Sequence, residues 1–252
     1  MARYKLTLAY DGAGFFGSQK QANKRTVQGE LEKALAGIGW TGRSVLVSGR
    51  TDTGVHATGQ VVAVDLNWPH TDGNLIRALN SSLPDDMSVR SAHVVDAKFH
   101  PRFDAVSRTY RYKLFYQPLR DPIRERFAWR VWPSINGDGL VAAAKRLLGA
   151  HDFSAFGSPT TLKGTTMRTV MKAEWKQAAE DEWYFEVQAD AFLYRMVRRM
   201  VFVQAAVAQG RISAESVARS LAQQAAAGKR SGLPSGLAPA RGLTLVSVEY
   251  KT

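Results

Sequence analysis

The first half of the chain is predicted to contain four strands and two helices in the order β-α-β-β-α-β. Apolar and polar residues alternate over residues 3–10, as in a strand with one buried face. After Thr26, a suitable helix N-cap, apolar residues recur with helical spacing. The later patterns predict a helix near 73–82 and strands near 44–49, 60–66 and 88–95.

The second half is predicted to repeat this order. Residues 107–116 alternate, and one face carries Tyr110, Tyr112, Leu114 and Tyr116. The patterns that follow predict helices near 139–148, 192–209 and 214–226, and strands near 166–176, 183–189 and 243–250. The segment 228–242, which is rich in Gly, Pro and Ser, is interpreted as a surface loop.

Two successive β-α-β-β-α-β units predict an α+β protein made of two ferredoxin-like halves. The halves are expected to be residues 1–100 and 101–252, with the boundary near 97–106. Their antiparallel sheets are expected to join edge to edge into one platform with a central active-site cleft.

Charge adds a class of partner to this picture. The 252 residues carry a formal net charge of +12, with local basic clusters at 124–130, 195–199 and 229–230. This excess predicts a polyanionic partner, which is nucleic acid, an anionic membrane surface or phosphorylated substrates. Membrane attachment is the weakest of the three. No stretch approaches the roughly 18 uninterrupted apolar residues of a membrane-spanning helix, and no signal-peptide core is visible. We therefore expect a cytoplasmic protein without a membrane partner.

The lack of cysteine excludes disulfides, thiolate nucleophiles and Cys-based zinc sites.

The segment 49–56, Gly-Arg-Thr-Asp-Thr-Gly-Val-His, is the strongest candidate for chemistry. It lies between two apolar, strand-like runs, so we predict a glycine-framed turn that displays Asp52 beside Arg50. An Asp held in this way is a candidate nucleophile or base. A turn Asp that only satisfies backbone N–H groups would have the same pattern.

Two other interpretations of the glycine-rich segments are weaker. Asp52 and His56 are spaced like two metal ligands on a helix, but the sequence around them favours a turn and offers no third ligand. His56 is better interpreted as a hydrogen-bonded structural histidine. Residues 12–17, Gly-Ala-Gly-Phe-Phe-Gly, match a dinucleotide-binding pattern. That site needs a helix that begins at once, whereas residues 18–25 are polar and lack a helical period.

Two segments of the second half carry candidate RNA-binding residues. Tyr110 lies on an alternating strand whose opposite face is basic, so its ring is either a core aromatic or a platform that stacks on an RNA base. Residues 192–199 combine an apolar stripe with Arg195, Arg198 and Arg199. These arginines form a solvated face, or one of them is directed towards Asp52.

At these residues the chain resembles the TruA family of tRNA pseudouridine synthases, nearly from end to end. The most specific shared segment is 48–57, Ser-Gly-Arg-Thr-Asp-Thr-Gly-Val-His-Ala. Weaker segments occur in the family's order: Tyr10-Asp11-Gly12, Phe16-Gly17, Thr26-Val27-Gln28-Gly29, Arg108-Thr109-Tyr110-Arg111-Tyr112, His151-Asp152-Phe153, Arg168-Thr169-Val170, Phe192-Leu193-Tyr194, Met196-Val197-Arg198 and Ala238-Pro239-Ala240.

The resemblance implies isomerisation of uridine to pseudouridine at positions 38, 39 and 40 of the tRNA anticodon stem-loop. It also implies a homodimer that needs neither cofactor nor metal. Asp52 corresponds to the catalytic aspartate, and Tyr110 to the tyrosine that stacks on the target uracil. Arg50 corresponds to the arginine linked to base flipping, and Arg198 to the arginine that pairs with the aspartate.

Two positions depart from the family pattern, which usually has Trp where this chain has Ser18 and Asn where it has Arg199. Both differences are expected to alter the lining of the RNA-binding cleft. Two other classes of protein stay open at this point. One is a non-catalytic RNA-binding module that uses the same basic sheet and aromatic residues, and the other is a metal-dependent nuclease.

Overall fold

The computed structural model describes residues 1–161, 164–222 and 232–251. The chain divides into two compact units, Met1–Val106 with Thr244–Thr252, and Ser107–Leu243. The basic pair at 229–230 and the last residues of the helix predicted over 214–226 lie outside the described residues. Within the described ranges, no helix is long and apolar enough to cross a membrane.

The first unit contains a mostly antiparallel sheet and two helices. Its elements are β1 (Ala2–Tyr10), α1 (Val27–Gly37), β2 (Leu46–Val47), β3 (His56–Leu66), α2 (Asp72–Asn80), β4 (Met87–Val95) and β10 (Leu243–Tyr250). β1 lies between β4 and β3 and is antiparallel to both, and β2 pairs antiparallel with β3. The predicted order β-α-β-β-α-β is therefore observed from β1 to β4.

The core of this unit follows the predicted apolar faces. The apolar side of β1 is buried along its length, at Tyr4, Leu6, Leu8 and Tyr10. α1 begins after Thr26, whose side-chain oxygen accepts a hydrogen bond from the Gly29 N–H at 3.2 Å. This confirms the predicted N-cap. Leu31 and Leu35 of α1 are fully buried, so the helix packs one face into the core of the unit.

The two strands beside Asp52 differ in length from the prediction. β2 contains only Leu46–Val47, whereas β3 begins at His56, before the predicted start at residue 60. Most of β3 is buried on both faces, so apolar and polar residues do not alternate clearly and the pattern does not mark where the strand begins. Residues 48–55 form the connection between these strands, and we call them the Asp52 turn.

The second unit also combines helices with a mostly antiparallel sheet. Its elements are β5 (Ala105–Tyr116), β6 (Trp129–Val131), α3 (Gly137–Lys145), β7 (Gly149–Asp152), β8 (Met167–Ala179), β9 (Glu182–Ala189), α4 (Met196–Ala208) and α5 (Ala214–Ala222). β9 lies between β5 and β8 and is antiparallel to both. β7 pairs antiparallel with β8, and β6 pairs parallel with β5. The α+β character predicted from the sequence is thus observed in both units.

The last strand departs from the predicted repeat. The sequence pattern assigns it to the half 101–252, whereas Thr244–Thr252 belong to the first unit, in which β10 pairs parallel with β3. Gly59 of β3 permits the close approach, since a Cβ there would lie 2.1 Å from Val246 O. The alternation of apolar residues predicts a strand but does not identify its partner.

The helix predicted from residue 192 begins later, at Met196. Arg195 has φ +62° and ψ 11°, in the left-handed region, so the residues before it cannot continue the helix. The Tyr194 N–H donates instead to Ser158 O at 2.9 Å. A left-handed residue other than glycine is uncommon, and this one lies three residues before Arg198.

Candidate active site

Asp52 lies on a turn whose backbone conformation is fixed locally. Asp52 O accepts a hydrogen bond from the Val55 N–H at 3.1 Å. Gly54 has φ +79°, a conformation that favours glycine. The Asp52 side chain is half-buried, whereas Arg50, two residues earlier on the same turn, is exposed.

Thr51, the residue before Asp52, is held at three points. Its Oγ1 lies 2.8 Å from the Tyr10 hydroxyl. Its N–H donates to Ser18 Oγ at 2.8 Å, and its carbonyl oxygen accepts from the Ser18 N–H at 3.1 Å. All three residues are buried. Two segments distant in sequence, β1 and the residues before α1, therefore hold the base of the turn.

Gln60 of β3 holds the start of the same turn. The Ser48 hydroxyl donates to Gln60 Oε1 at 2.6 Å, and Gln60 Nε2 donates to Gly49 O at 3.0 Å. Gln60 Nε2 also lies 3.5 Å from the Tyr10 hydroxyl, at the limit of a hydrogen bond. Burial raises the pKa of Tyr10 to about 12, so its phenol stays neutral at physiological pH.

His56 is buried and hydrogen-bonded, as the sequence predicted. The Gly12 N–H donates to Nδ1 at 3.0 Å, and Asp11 Oδ1 also lies 3.0 Å from Nδ1. Only one of these two contacts is a hydrogen bond at a time, because a ring nitrogen that accepts the Gly12 N–H carries no proton to donate to Asp11. With either protonation state, His56 links the segment after β1 to the start of β3. No group of three or more metal-ligating side chains is found among the described residues.

The glycine-rich segment 12–17 forms a structural loop. Gly12–Gly14 form a short 3₁₀ turn, and α1 begins only at Val27. A dinucleotide site would require a helix directly after Gly17, so the structure contradicts that interpretation. A Cβ at Gly12 would lie 2.0 Å from Val55 O, which explains why glycine is needed beneath the Asp52 turn.

In the second unit, Tyr110 lies on β5 with its ring half-buried. The ring packs edge to face against Phe192, with 5.0 Å between the ring centroids and an angle of 86° between the planes. In the same strand Arg108 Nη1 donates to Asp190 O at 2.7 Å. Tyr110 is therefore neither fully buried in the core nor fully exposed.

Arg198 lies on α4 and contacts the segment that precedes β10. Its Nε donates to Ala238 O at 2.8 Å, and its own carbonyl oxygen accepts from the Ala238 N–H at 3.1 Å. The hydroxyl of Tyr112, the next residue along the Tyr110 face of β5, donates to Pro239 O at 2.8 Å. Burial raises the pKa of Tyr112 well above its usual value, and the charge of Arg198 opposes this shift.

The two departures from the TruA pattern have local structural roles. Ser18 is only 2% exposed, and the effect of this departure on the lining of an RNA-binding cleft stays a prediction. Arg199 is half-buried, and its Nη1 donates to Gly236 O at 3.1 Å and also contacts Pro234 O. Desolvation lowers the pKa of Arg199.

The predicted site residues thus fall into two groups. Arg50 and Asp52 share one turn of the first unit, and Tyr110 and Arg198 lie on β5 and α4 of the second unit. The pairing of Arg198 with Asp52 stays a prediction. Sequence reasoning did not predict which residues hold the turn, namely Tyr10, Ser18, Ser48, Thr51 and Gln60.

Comparisons with known proteins agree with the resemblance seen in the sequence. The sequence model described as tRNA pseudouridine synthase matches residues 7–104 and 143–251. The tRNA pseudouridine synthase A of Listeria monocytogenes serovar 1/2a is 38% identical over 253 residues and covers 100% of both chains. The protein of that name from Maridesulfovibrio salexigens is 39% identical and covers 99% of this chain and 91% of its own. A solved Cbf5–Nop10–Gar1 complex covers 78% of this chain and 44% of its own at 11% identity, with a TM-score of 0.36.

These matches define the chain as an RNA-modifying isomerase. The chain belongs to the tRNA pseudouridine synthase family, and its resemblance to the TruA enzymes is confirmed. Membership disfavours both the metal-dependent nuclease and the non-catalytic RNA-binding module.

Proposed function

We propose that this protein converts uridine to pseudouridine at positions 38, 39 and 40 of the tRNA anticodon stem-loop. The observation that carries the proposal is the Asp52 turn, which is anchored by hydrogen bonds with Tyr10, Ser18 and Gln60. A passive binding surface gains nothing from presenting a carboxylate to an RNA backbone, because the two negative charges repel each other. A catalytic group, in contrast, requires a rigid support.

The reaction itself fits a site made only of side chains. Isomerisation breaks the N1–C1′ glycosidic bond, rotates the detached uracil and joins C5 to C1′. The proton on C5 is lost and N1 gains one, so the atoms balance within the nucleotide. Nothing is oxidised and no group is added, so this chemistry requires neither a redox cofactor nor a group donor.

Each predicted site residue has a role in this scheme. Asp52 starts the reaction, by adding to the base or the ribose or by removing a ribose proton. Tyr110 holds the uracil and assists loss of the C5 proton. Arg50 helps to fill the space that the flipped base leaves, since extruding a base costs a few kcal/mol of stacking. Arg198 pairs with Asp52.

Several finer expectations stay predictions. They are the ferredoxin-like character of the two units, the joined platform with its central cleft, the homodimer and the cytoplasmic location. The first unit supports the first of them, since it contains β-α-β-β-α-β in order. RNA contact by Tyr110 is supported by its half-buried ring on a strand that also carries Arg108 and Arg111.

The proposal is tested by incubating unmodified tRNA with the protein in EDTA and mapping pseudouridine at each position. We expect pseudouridine at positions 38–40 with the wild-type protein and none with Asp52→Asn. The variant should still bind tRNA, because the substitution removes a negative charge and leaves the turn's backbone hydrogen bonds in place. Substantial turnover by Asp52→Asn would contradict the assignment of the catalytic residue.

The matched control is Asp85→Asn, which changes an exposed aspartate of the same unit. This variant should keep full activity. Pseudouridine at other tRNA positions would contradict the proposed target. Cleaved RNA that appears only without EDTA would instead support a nuclease.

A further inference from the structure

The residue before Asp52 is held through both of its backbone polar groups by one serine. The Thr51 N–H donates to Ser18 Oγ at 2.8 Å, and the Ser18 N–H donates to Thr51 O at 3.1 Å. Ser18 is 2% exposed and Thr51 is 7% exposed, so water competes little for these groups. Ser18 and Thr51 therefore form a closed pair directly beside Asp52.

The serine is itself fixed by the first turn of α1. Ser18 O accepts from the Gln28 N–H at 2.9 Å, and Gly17 O accepts from the Val27 N–H at 3.3 Å. Gly17 has φ +87°, and a Cβ there would lie 3.0 Å from Thr51 O. Glycine at this position lets the chain approach Thr51 closely. Hydrogen bonds thus link the N-terminus of α1 to Ser18, and Ser18 to the Asp52 turn.

We infer that Ser18 is a positioning residue for Asp52. Its hydroxyl oxygen fixes the Thr51 N–H and, through Thr51, the backbone from which the Asp52 carboxylate projects. The inference rests on the proposed function, in which Asp52 is the catalytic residue.

A purely structural role for Ser18 makes a different prediction. Loss of a buried hydrogen bond lowers stability wherever it occurs, because the Thr51 N–H is left without a partner. If Ser18 positions Asp52, loss of its hydroxyl also slows the chemical step in protein that is fully folded, since a small displacement of a reacting group has a large effect on rate. The two roles are therefore separated by kcat measured well below the melting temperature.

The experiment compares wild-type protein with Ser18→Ala, Ser18→Cys and Ser18→Thr in steady-state pseudouridine formation on tRNA. We expect Ser18→Ala to lower kcat by about 10- to 100-fold, with KM within about twofold of wild type. Ser18→Cys should behave similarly, because a thiol is a weak acceptor. Ser18→Thr keeps the hydroxyl and should recover most of kcat.

Ser220→Ala is the matched control for the loss of a buried serine hydroxyl. Ser220 is 5% exposed and its hydroxyl donates to Val217 O at 2.7 Å in α5 of the other unit. This variant should lower the melting temperature and leave kcat unchanged.

The inference is overturned if folded Ser18→Ala or Ser18→Cys turns over at the wild-type rate, or if Ser18→Thr is as slow as Ser18→Ala. Should Ser18→Ala fail to fold, the nearly isosteric cysteine variant decides. Wild-type protein and Asp52→Asn are measured in the same assay. A wild type that forms no pseudouridine refutes the proposed function itself, which is a separate outcome.

Discussion

A single Cβ atom determines whether the loop after β1 can lie beneath the Asp52 turn. A Cβ at Gly12 would lie 2.0 Å from Val55 O and 2.5 Å from Val55 C, both of them backbone atoms that cannot rotate away. We therefore predict that Gly12→Ala lowers the free energy of unfolding by about 3 kcal/mol. It should also reduce activity, since Val55 closes the turn by its hydrogen bond to Asp52 O. Urea unfolding and pseudouridine assays measure the two effects.

Gly49→Ala is the control for this prediction. A Cβ at Gly49 would meet no atom within 4 Å, and the residue has no positive φ. The substitution should therefore change stability by less than about 0.5 kcal/mol. Equal losses in Gly12→Ala and Gly49→Ala would mean that the close contact with Val55 is not the cause.

At the residue scale, sequence alone singled out Asp52, the proposed reactive group, but not the residues that support its turn. The glycine-framed turn and Asp52 were readable, because Gly, Asp and Thr are turn-forming residues between two apolar runs. The sequence pattern predicts the same turn-forming role for Gly49 and Gly54, whereas of the two only Gly54 has a positive φ. Ser18 lies far from Thr51 along the chain, and no local pattern records a hydrogen bond between distant segments.

At the element scale, an ion network ties three strands of the second unit together. The Glu186 carboxylate on β9 forms ion pairs with Lys172 Nζ of β8 at 2.6 Å and with Arg111 Nη2 of β5 at 2.8 Å. Its side chain is only 15% exposed. The hydrogen bonds from Lys172 and then Arg111 hold the pKa of Glu186 below its usual value, against the opposing effect of burial.

We predict that Glu186→Gln lowers the free energy of unfolding by about 1 kcal/mol at pH 7. A carboxylate whose pKa is lower in the folded state stabilises the fold above its unfolded pKa, about 4.3 for Glu. That contribution is lost as pH falls through the lower pKa of the folded state. The difference between wild type and variant should therefore shrink steadily below about pH 4.3, as measured by urea unfolding at a series of pH values.

Glu174→Gln is the control on the same sheet. Glu174 is half-exposed, lies 3.6 Å and 3.7 Å from Lys172 and Lys176, and faces Glu186 in the strand register. Its removal should change stability little, because exposed ion pairs contribute little and a like-charged neighbour is lost. A loss equal to that of Glu186→Gln would refute the special role of the Glu186 network.

The elements themselves were predicted unequally, for physical reasons. α1 and β1 were readable because each has one buried and one exposed face, which gives a clear period. β6 and β7 are too short, at three and four residues, to show any period. β10 was recognised as a strand, but its pairing with β3 depends on contacts between residues far apart in the chain.

At the scale of the whole molecule, the positive charge is unevenly distributed. Residues 107–243 contain 21 Lys and Arg against 11 Asp and Glu, whereas the other residues contain 13 against 11. The second unit therefore accounts for most of the net charge of +12. Tyr110 and Arg198, the residues proposed to hold the uracil and to pair with Asp52, lie in this unit.

This charge predicts that tRNA binding weakens steeply with salt, because each phosphate contact releases condensed counterions. With about six phosphates contacted, affinity should fall about a thousandfold between 50 and 200 mM salt. The measurement uses fluorescence anisotropy of labelled tRNA with Asp52→Asn, the variant that is expected to bind tRNA without turning it over. Circular dichroism over the same salt range checks that the protein stays folded. An affinity that does not change with salt would contradict tRNA as the partner, because the chain's excess of cations would then have no role in binding. This outcome would leave the fold and the Asp52 turn as described.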